Sequence, residues 1–185
     1  MGNITLCPTT RLHDRIINTR ERLYRIAVVW CGDQMLADDL VQETIVSAMK
    51  NHRQLRDKNC LFGWVCSIMK NHWYQHLRKQ RKHDNIDDQL NLPSYDHGPF
   101  GKCQEMDIIR QVRIAVNDLT LQQRQVIALV DLSELTYCDV AQALDIPVGT
   151  VMSRLHKARK TLLKKLEINQ RKMPLDAPPQ CAKQA

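Results

Sequence analysis

The stretch from Thr136 to Leu166, TYCDVAQALDIPVGTVMSRLHKARKTLLKKL, constrains the fold more than any other part of the chain. Val140, Ala141 and Leu144 fall on one face of a short helix. Val151, Leu155, Ala158, Leu162 and Leu166 recur at spacings of four and three along a second. Asp145, Ile146 and Pro147 form the turn between them, where proline costs little because its missing N–H would be unpaired near a helix start. The pattern predicts two helices meeting at a tight corner. The outer face of the second carries Thr150, Ser153, Arg154, His156, Lys157, Arg159 and Lys160. Small residues at Gly149 and Thr150 leave its first amides accessible to a phosphate. A helix of this width fits the major groove of DNA, where its early residues reach base edges. The plain alternative is a helical hairpin with a solvated basic face. Length, turn chemistry and the small residues together favour DNA.

The rest of the chain also reads as helices. Leu12, Ile16, Thr19, Leu23, Ile26 and Trp30 share one stripe of a helix that Gly32 is placed to end, with Asp33 capping the next. Ala37, Leu40/Val41, Thr44/Ile45 and Ala48 turn inward on that second helix, while Asp39, Gln42, Glu43 and Val46 face elsewhere. A third helix runs from about Leu61 to Arg81, with Val65, Ile68/Met69 and Leu77 inward and Trp73, rather than Tyr74, as its buried aromatic. Residues 1–83 read as a first domain. Residues 84–104 are acidic and contain Pro93, Gly98, Pro99 and Gly101 without helical period, which marks a linker. Helicity resumes near Glu105 with Ile108/Ile109, Val112 and Val116. Thr120 and Gln123 match a capping box that starts a helix at Leu121. A second domain spans 105–168, and a tail over 169–185, with Pro174, Pro178 and Pro179, is expected to be disordered. The expected fold is all-α: two small helical domains joined by a flexible linker.

Charge is sorted along the chain. Asp33 to Glu43 holds four acids and no base, Lys50 to Lys82 nine Lys/Arg against one acid, and Ile146 to Ile168 six against one. Separate surfaces of opposite sign imply separate partners, and the formal net charge of +7 favours a polyanion among them. Seven cysteines, an odd number without a CxxC pair, fit a reducing cytoplasm and a packing role. No apolar leader is present, and no run approaches the roughly 20 apolar residues that span a bilayer. His72 and His76 have a spacing that can bind zinc, but no neighbouring Cys or carboxylate completes a set, so no metal and no cofactor are expected. Nothing resembles a catalytic triad, a phosphate-binding glycine loop or an acid/base pair, which argues against an enzyme.

LTLQQRQVIALVDLSELTYCDVAQALDIPVGTVMSRLHKARKTL resembles region 4 of bacterial RNA polymerase sigma factors of the extracytoplasmic-function (ECF, sigma-70-like) group. LYRIAVVWCGDQMLADDLVQETIVSAMKN resembles that family's first conserved block, including Asp-Leu-Val-Gln-Glu at Asp39 to Glu43. FGWVCSIMKNHWYQHLRKQRK resembles the second, with Trp64, Ile68, Asn71 and the closing basic run. The resemblance implies a promoter-specificity subunit of RNA polymerase, built as region 2 and region 4 modules without the extra domains of housekeeping sigma factors.

By that resemblance, Asp39, Gln42 and Glu43, with Asp38 at the margin, dock on the clamp helices of the polymerase's largest subunit. Asn71 lies at a pocket that takes a flipped base of the −10 element, and an amide suits this because it both donates and accepts. Lys70, His72, Gln75, Arg78, Lys79, Arg81 and Lys82 hold phosphates or line that site. Thr150, Ser153, Arg154, His156 and Lys157 face the −35 groove, with Arg159 and Lys160 on its backbone. Met152 stands where many relatives carry Arg or Lys, so one upstream base preference is expected to differ. The acid run Asp84, Asp87 and Asp88 is expected to mimic nucleic acid inside the polymerase. The resemblance further implies an anti-sigma partner, often membrane-bound, that covers these surfaces. Two alternatives remain open: a stand-alone operator-binding regulator, and an adaptor that binds polymerase without DNA.

Overall fold

Trp30 and Trp73, from helices far apart in sequence, are both fully buried and form the centre around which the N-terminal helices close. The computed structural model describes the backbone of residues 8–83 and 104–172, and the side chains of 11–80 and 110–166. The expected linker, its acid run and the tail beyond 172 lie outside these residues.

The stripe from Leu12 to Trp30 is buried as its spacing requires, but it is carried by two helices rather than one: α1 (Pro8–Ile17) and α2 (Arg20–Cys31). The break falls at Thr19. Its N–H and hydroxyl both reach the Ile16 carbonyl, at 3.0 and 2.6 Å, and tighten the chain into a single turn. A turn this short keeps the apolar residues in phase, so periodicity alone does not reveal it.

Gly32 ends α2 in the left-handed region, φ 72°, and its N–H bonds the Val28 carbonyl. The Asp33 carboxylate then accepts from the Leu36 N–H at 2.9 Å and starts α3 (Gln34–Lys50). Two 3₁₀ turns, His52–Gln54 and Lys58–Cys60, lead into α4 (Leu61–His83). Leu61, Val65, Cys66, Met69 and Trp73 form the inner stripe of α4 and pack it on α3. Ile68 and Leu77 flank that stripe half-buried. Truncating either central tryptophan to alanine is worth about 3–5 kcal/mol.

The C-terminal helices are α5 (Gln104–Asn117), α6 (Leu121–Ile127), α7 (Tyr137–Leu144) and α8 (Val148–Lys172), with a π turn over Ala128–Leu132 extending α6. The expected capping box is present. The Gln123 N–H bonds the Thr120 hydroxyl at 3.4 Å, and the Gln123 side chain accepts from the Thr120 N–H at 3.1 Å. Two expectations are corrected. Val112 is exposed, because Ala115 on α5 and Leu119 just beyond its end turn inward one residue out of phase with the Val112–Val116 pairing. Residues 169–172 are helical rather than disordered, since EINQRK offers strong helix formers and no breaker before Pro174.

The two sets of helices pack on each other. α2 lies against α6 and the π turn, and α4 lies against α7. Arg22 donates to the Ser133 carbonyl at 2.8 Å, and the Tyr74 hydroxyl donates to the Gln125 side-chain oxygen at 3.2 Å. Among the described residues there is no strand, and no helix is long and apolar enough to cross a membrane.

Candidate functional site

α3 presents an acidic face because Ala37, Leu40, Val41, Thr44 and Ala48 take its inner side. Asp39, Gln42, Glu43 and Val46 are exposed, and Met35 is 82% exposed at the helix start. Their chemistry differs. Asp39 has no hydrogen-bond or ion-pair partner among the described residues. Asp38 is held on both oxygens, by Arg20 at 2.9 Å and by the Gln42 amide at 2.8 Å. Asp39 therefore offers an uncommitted carboxylate to a basic partner, whereas Asp38 must first give up two bonds. Exposed carboxylates flanked by aliphatic side chains suit a contact with an apolar centre and charge-assisted hydrogen bonds.

α4 builds a second surface one helix away. Lys70, Asn71, Tyr74, Gln75 and Arg78 line a cavity of about 420 Å³ whose remaining wall, Leu144 and Asp145, comes from the end of α7. Two amides, a phenol ring and two cations around one hollow can stack on a base, read its edge and neutralise a phosphate. Asp145 occupies the left-handed region at the α7 C-cap, φ 56°, where the corner before Pro147 requires it. The family resemblance pointed to the cavity's cations and amides; the wall from α7 arises only from tertiary packing. Tyr74 is tied to Gln125 as well as lining the cavity, so its hydroxyl is engaged across the seam.

His72 departs from this group. Its ring is half-buried and turned towards α3, with Nε2 2.8 Å from the Ser47 hydroxyl and Nδ1 3.6 Å from a Glu43 carboxylate oxygen. Consecutive helical residues point about 100° apart, so Asn71 can face the cavity only if His72 does not. Lys79 is exposed beyond the cavity, and the Arg81 and Lys82 side chains lie outside the described residues. His76 stacks on Trp73 with centroids 5.7 Å apart, which separates its surroundings from those of His72. Among the described residues, no three His, Cys, Asp or Glu side chains are grouped to hold a metal.

α8 buries Val151, Leu155 and Ala158 and leaves Ser153, His156, Lys157, Arg159 and Lys160 exposed, with Thr150 and Arg154 half-exposed. A Cβ added at Gly149 would meet nothing within 4 Å, so the helix start is sterically open. Met152 is 53% exposed on the same outer side. Arg159 is committed: its Nε donates to Asp131 at 3.3 Å and a second nitrogen reaches the other oxygen. That pair orients Arg159 against the π turn, a constraint the sequence did not disclose.

The Sigma-70 region 2 family model matches residues 16–83, and the Sigma-70, region 4 model matches residues 109–162. The ECF RNA polymerase sigma factor EcfG of Rhodopseudomonas palustris is 30% identical over 154 residues, covering 83% of this chain and 84% of its own length. The sigma factor RpoE of Bartonella quintana, solved in complex with the anti-sigma factor NepR, superposes with a TM-score of 0.71 at 25% identity. The superposition covers 84% of this chain and 96% of that one. CnrH, solved with the cytosolic domain of CnrY, gives 0.62 at 19% identity over 86% of this chain and 90% of that one, a likeness of fold. The two family models and the relative match the chain across both sets of helices, and the chain belongs to the ECF RNA polymerase sigma factor family.

Proposed function

We propose that the three surfaces divide the work of promoter-specific initiation. Asp39, Gln42 and Glu43 on α3 engage the clamp helices of the largest polymerase subunit, with Asp38 contributing after release from Arg20 and Gln42. Asn71 reads a flipped −10 base, with Lys70, Gln75, Arg78, Lys79 and Arg81 on its flanking phosphates. Thr150, Ser153, Arg154, His156 and Lys157 meet the −35 groove, and Arg159 meets its backbone. The chain itself catalyses nothing; nucleotide addition belongs to the core enzyme, and the work takes place in the cytoplasm.

The observation that carries this reading is the amide- and cation-lined cavity on α4, one helix away from an exposed acidic face. Mixing the purified chain with core polymerase and genomic DNA tests it. Transcripts with defined starts that core alone does not make are expected. A stand-alone regulator would bind DNA without conferring starts, and an adaptor would leave initiation unchanged when Asn71 or Arg154 becomes alanine.

The closed packing supports a second element of the reading. Leu144 and Asp145 wall one side of the Asn71 cavity from α7, so the C-terminal helices narrow a strand's approach to the exposed Asn71 amide until they move away. An anti-sigma protein of the kind bound to the Bartonella relative would hold the chain inactive by favouring such a closed state.

A further inference from the structure

We infer that His72 is a positioning residue that ties the polymerase-docking helix to the base-reading helix and so aims Asn71. This rests on the reading of Asn71 as the base-reading side chain. The ring bridges the two helices: Nε2 lies 2.8 Å from the Ser47 hydroxyl and Nδ1 3.6 Å from the Glu43 carboxylate, both on α3. One tautomer serves both partners, with the Nδ1–H directed at the carboxylate and Nε2 accepting the serine proton, an assignment made from the partners. Protonation of the ring leaves both contacts possible, since the hydroxyl accepts as well as donates.

The neighbourhood explains why a tie is needed here. Trp73 and Met69 bury the inner side of α4, through contacts that are not directional in themselves. Asn71 is exposed and has no hydrogen-bond partner among the described residues. Its direction is therefore set by the azimuth of α4, and among the described residues the hydrogen bond that fixes this azimuth against α3 at that level is that between His72 and Ser47, with the Glu43 carboxylate 3.6 Å from the other ring nitrogen. Glu43 is 68% exposed in its side chain, so the same carboxylate is available to the polymerase. Docking on Glu43 and orientation of Asn71 thus share one side chain.

The test is a double-mutant cycle in reconstituted holoenzyme, with start-site transcription from templates carrying each of the four bases at the position Asn71 reads. The readout is the ratio between the preferred base and the others, with discrimination at the upstream element as internal reference. Since misplacing a binding group by about 1 Å costs up to roughly 100-fold, His72→Phe is expected to lower that ratio by about 10-fold. Ser47→Ala, which removes one contact outside the DNA and polymerase surfaces, is expected to lower it less, and His72→Gln to restore part of it. In an Asn71→Ala background neither substitution should lower the ratio further. If Asn71→Ala abolishes discrimination while His72→Phe and Ser47→Ala leave it intact, the positioning role is overturned and the functional reading stands. If Asn71→Ala itself leaves the ratio unchanged, both fall. A loss of upstream discrimination equal to the downstream loss would also overturn the positioning role, because it would show a general structural defect.

Discussion

Replacing Arg22 with methionine should open the molecule. Its guanidinium crosses from the N-terminal to the C-terminal helices, donating to the Ser133 carbonyl at 2.8 Å, while the same group lies over the Phe62 ring at 3.9 Å within its own half. Methionine keeps an apolar arm over Phe62 and deletes the charged donor. A hydrogen bond from a charged group to a carbonyl contributes about 1.5–3 kcal/mol. Taking about 2 kcal/mol, the ratio of open to closed molecules rises roughly 30-fold, because each 1.4 kcal/mol is about a factor of ten. Where binding requires the open form, apparent affinity rises in proportion to its population. Stopped-flow association with core polymerase should therefore quicken by up to that factor until the open form predominates, and small-angle scattering should report a larger radius of gyration. Arg22 lies on none of the proposed contact surfaces, so a faster rate would reflect opening rather than a new contact. An unchanged radius together with an unchanged association rate would refute the claim that this bond holds the closed state.

Asp39→Arg should weaken core binding at least 10-fold, through loss of a carboxylate and gain of a like charge, while Asp38→Ala should do less because that carboxylate is already held by Arg20 and Gln42; competition binding to core enzyme reads both. Burial pushes the Cys31 and Cys66 thiols up to about 12 from 9.0. A pKa raised on folding contributes stability below the unfolded value that is lost as pH climbs towards the folded one, roughly 4 kcal/mol per thiol. Urea melts should accordingly lose stability progressively between pH 9 and 12, and Cys31→Ala with Cys66→Ala should flatten the decline. At pH 8 an aromatic disulfide reagent should modify the exposed Cys60 and Cys138 well before Cys31 or Cys66. Met152→Arg adds a guanidinium to the exposed side of α8 and should shift preference at one upstream base by about 1–3 kcal/mol, read by competition among −35 variants.

Legibility in the sequence followed the range of the interactions. The Gly32–Asp33 corner, the Thr120–Gln123 box and the buried stripes of α3, α4 and α8 depend on residues within about two turns of one another, and spacing exposes them. The break at Thr19 escaped because a two-residue turn this tight preserves phase. The packing of His72 escaped for a different reason. A histidine in a basic run beside Asn71 has the composition of a DNA contact, and only the packing of α4 on α3 shows that its ring faces Ser47 and Glu43. Likewise, Arg159 reads as a free cation until the π turn brings Asp131 against it.

The seam between the halves is the feature furthest from anything periodicity encodes, and its chemistry bears on how firmly it closes. Arg124 is fully buried on α6, with Nε and Nη2 unpaired, and burial pulls its basicity down despite the neighbouring Cys31 on α2. Gln125 Nε2 and Ser133 Oγ are buried without partners in the same region. Each such group costs about 1–3 kcal/mol relative to its hydrated state. Against that stand two polar ties, from Arg22 and Tyr74, and the apolar contacts of α2 with α6 and of α4 with α7. Separation would hydrate every orphan atom while exposing apolar surface, so the two contributions oppose one another and the closed state carries an offset that an ordinary domain core lacks. A seam of that composition closes on apolar contact, and water can compete for its polar groups as soon as a partner draws the halves apart.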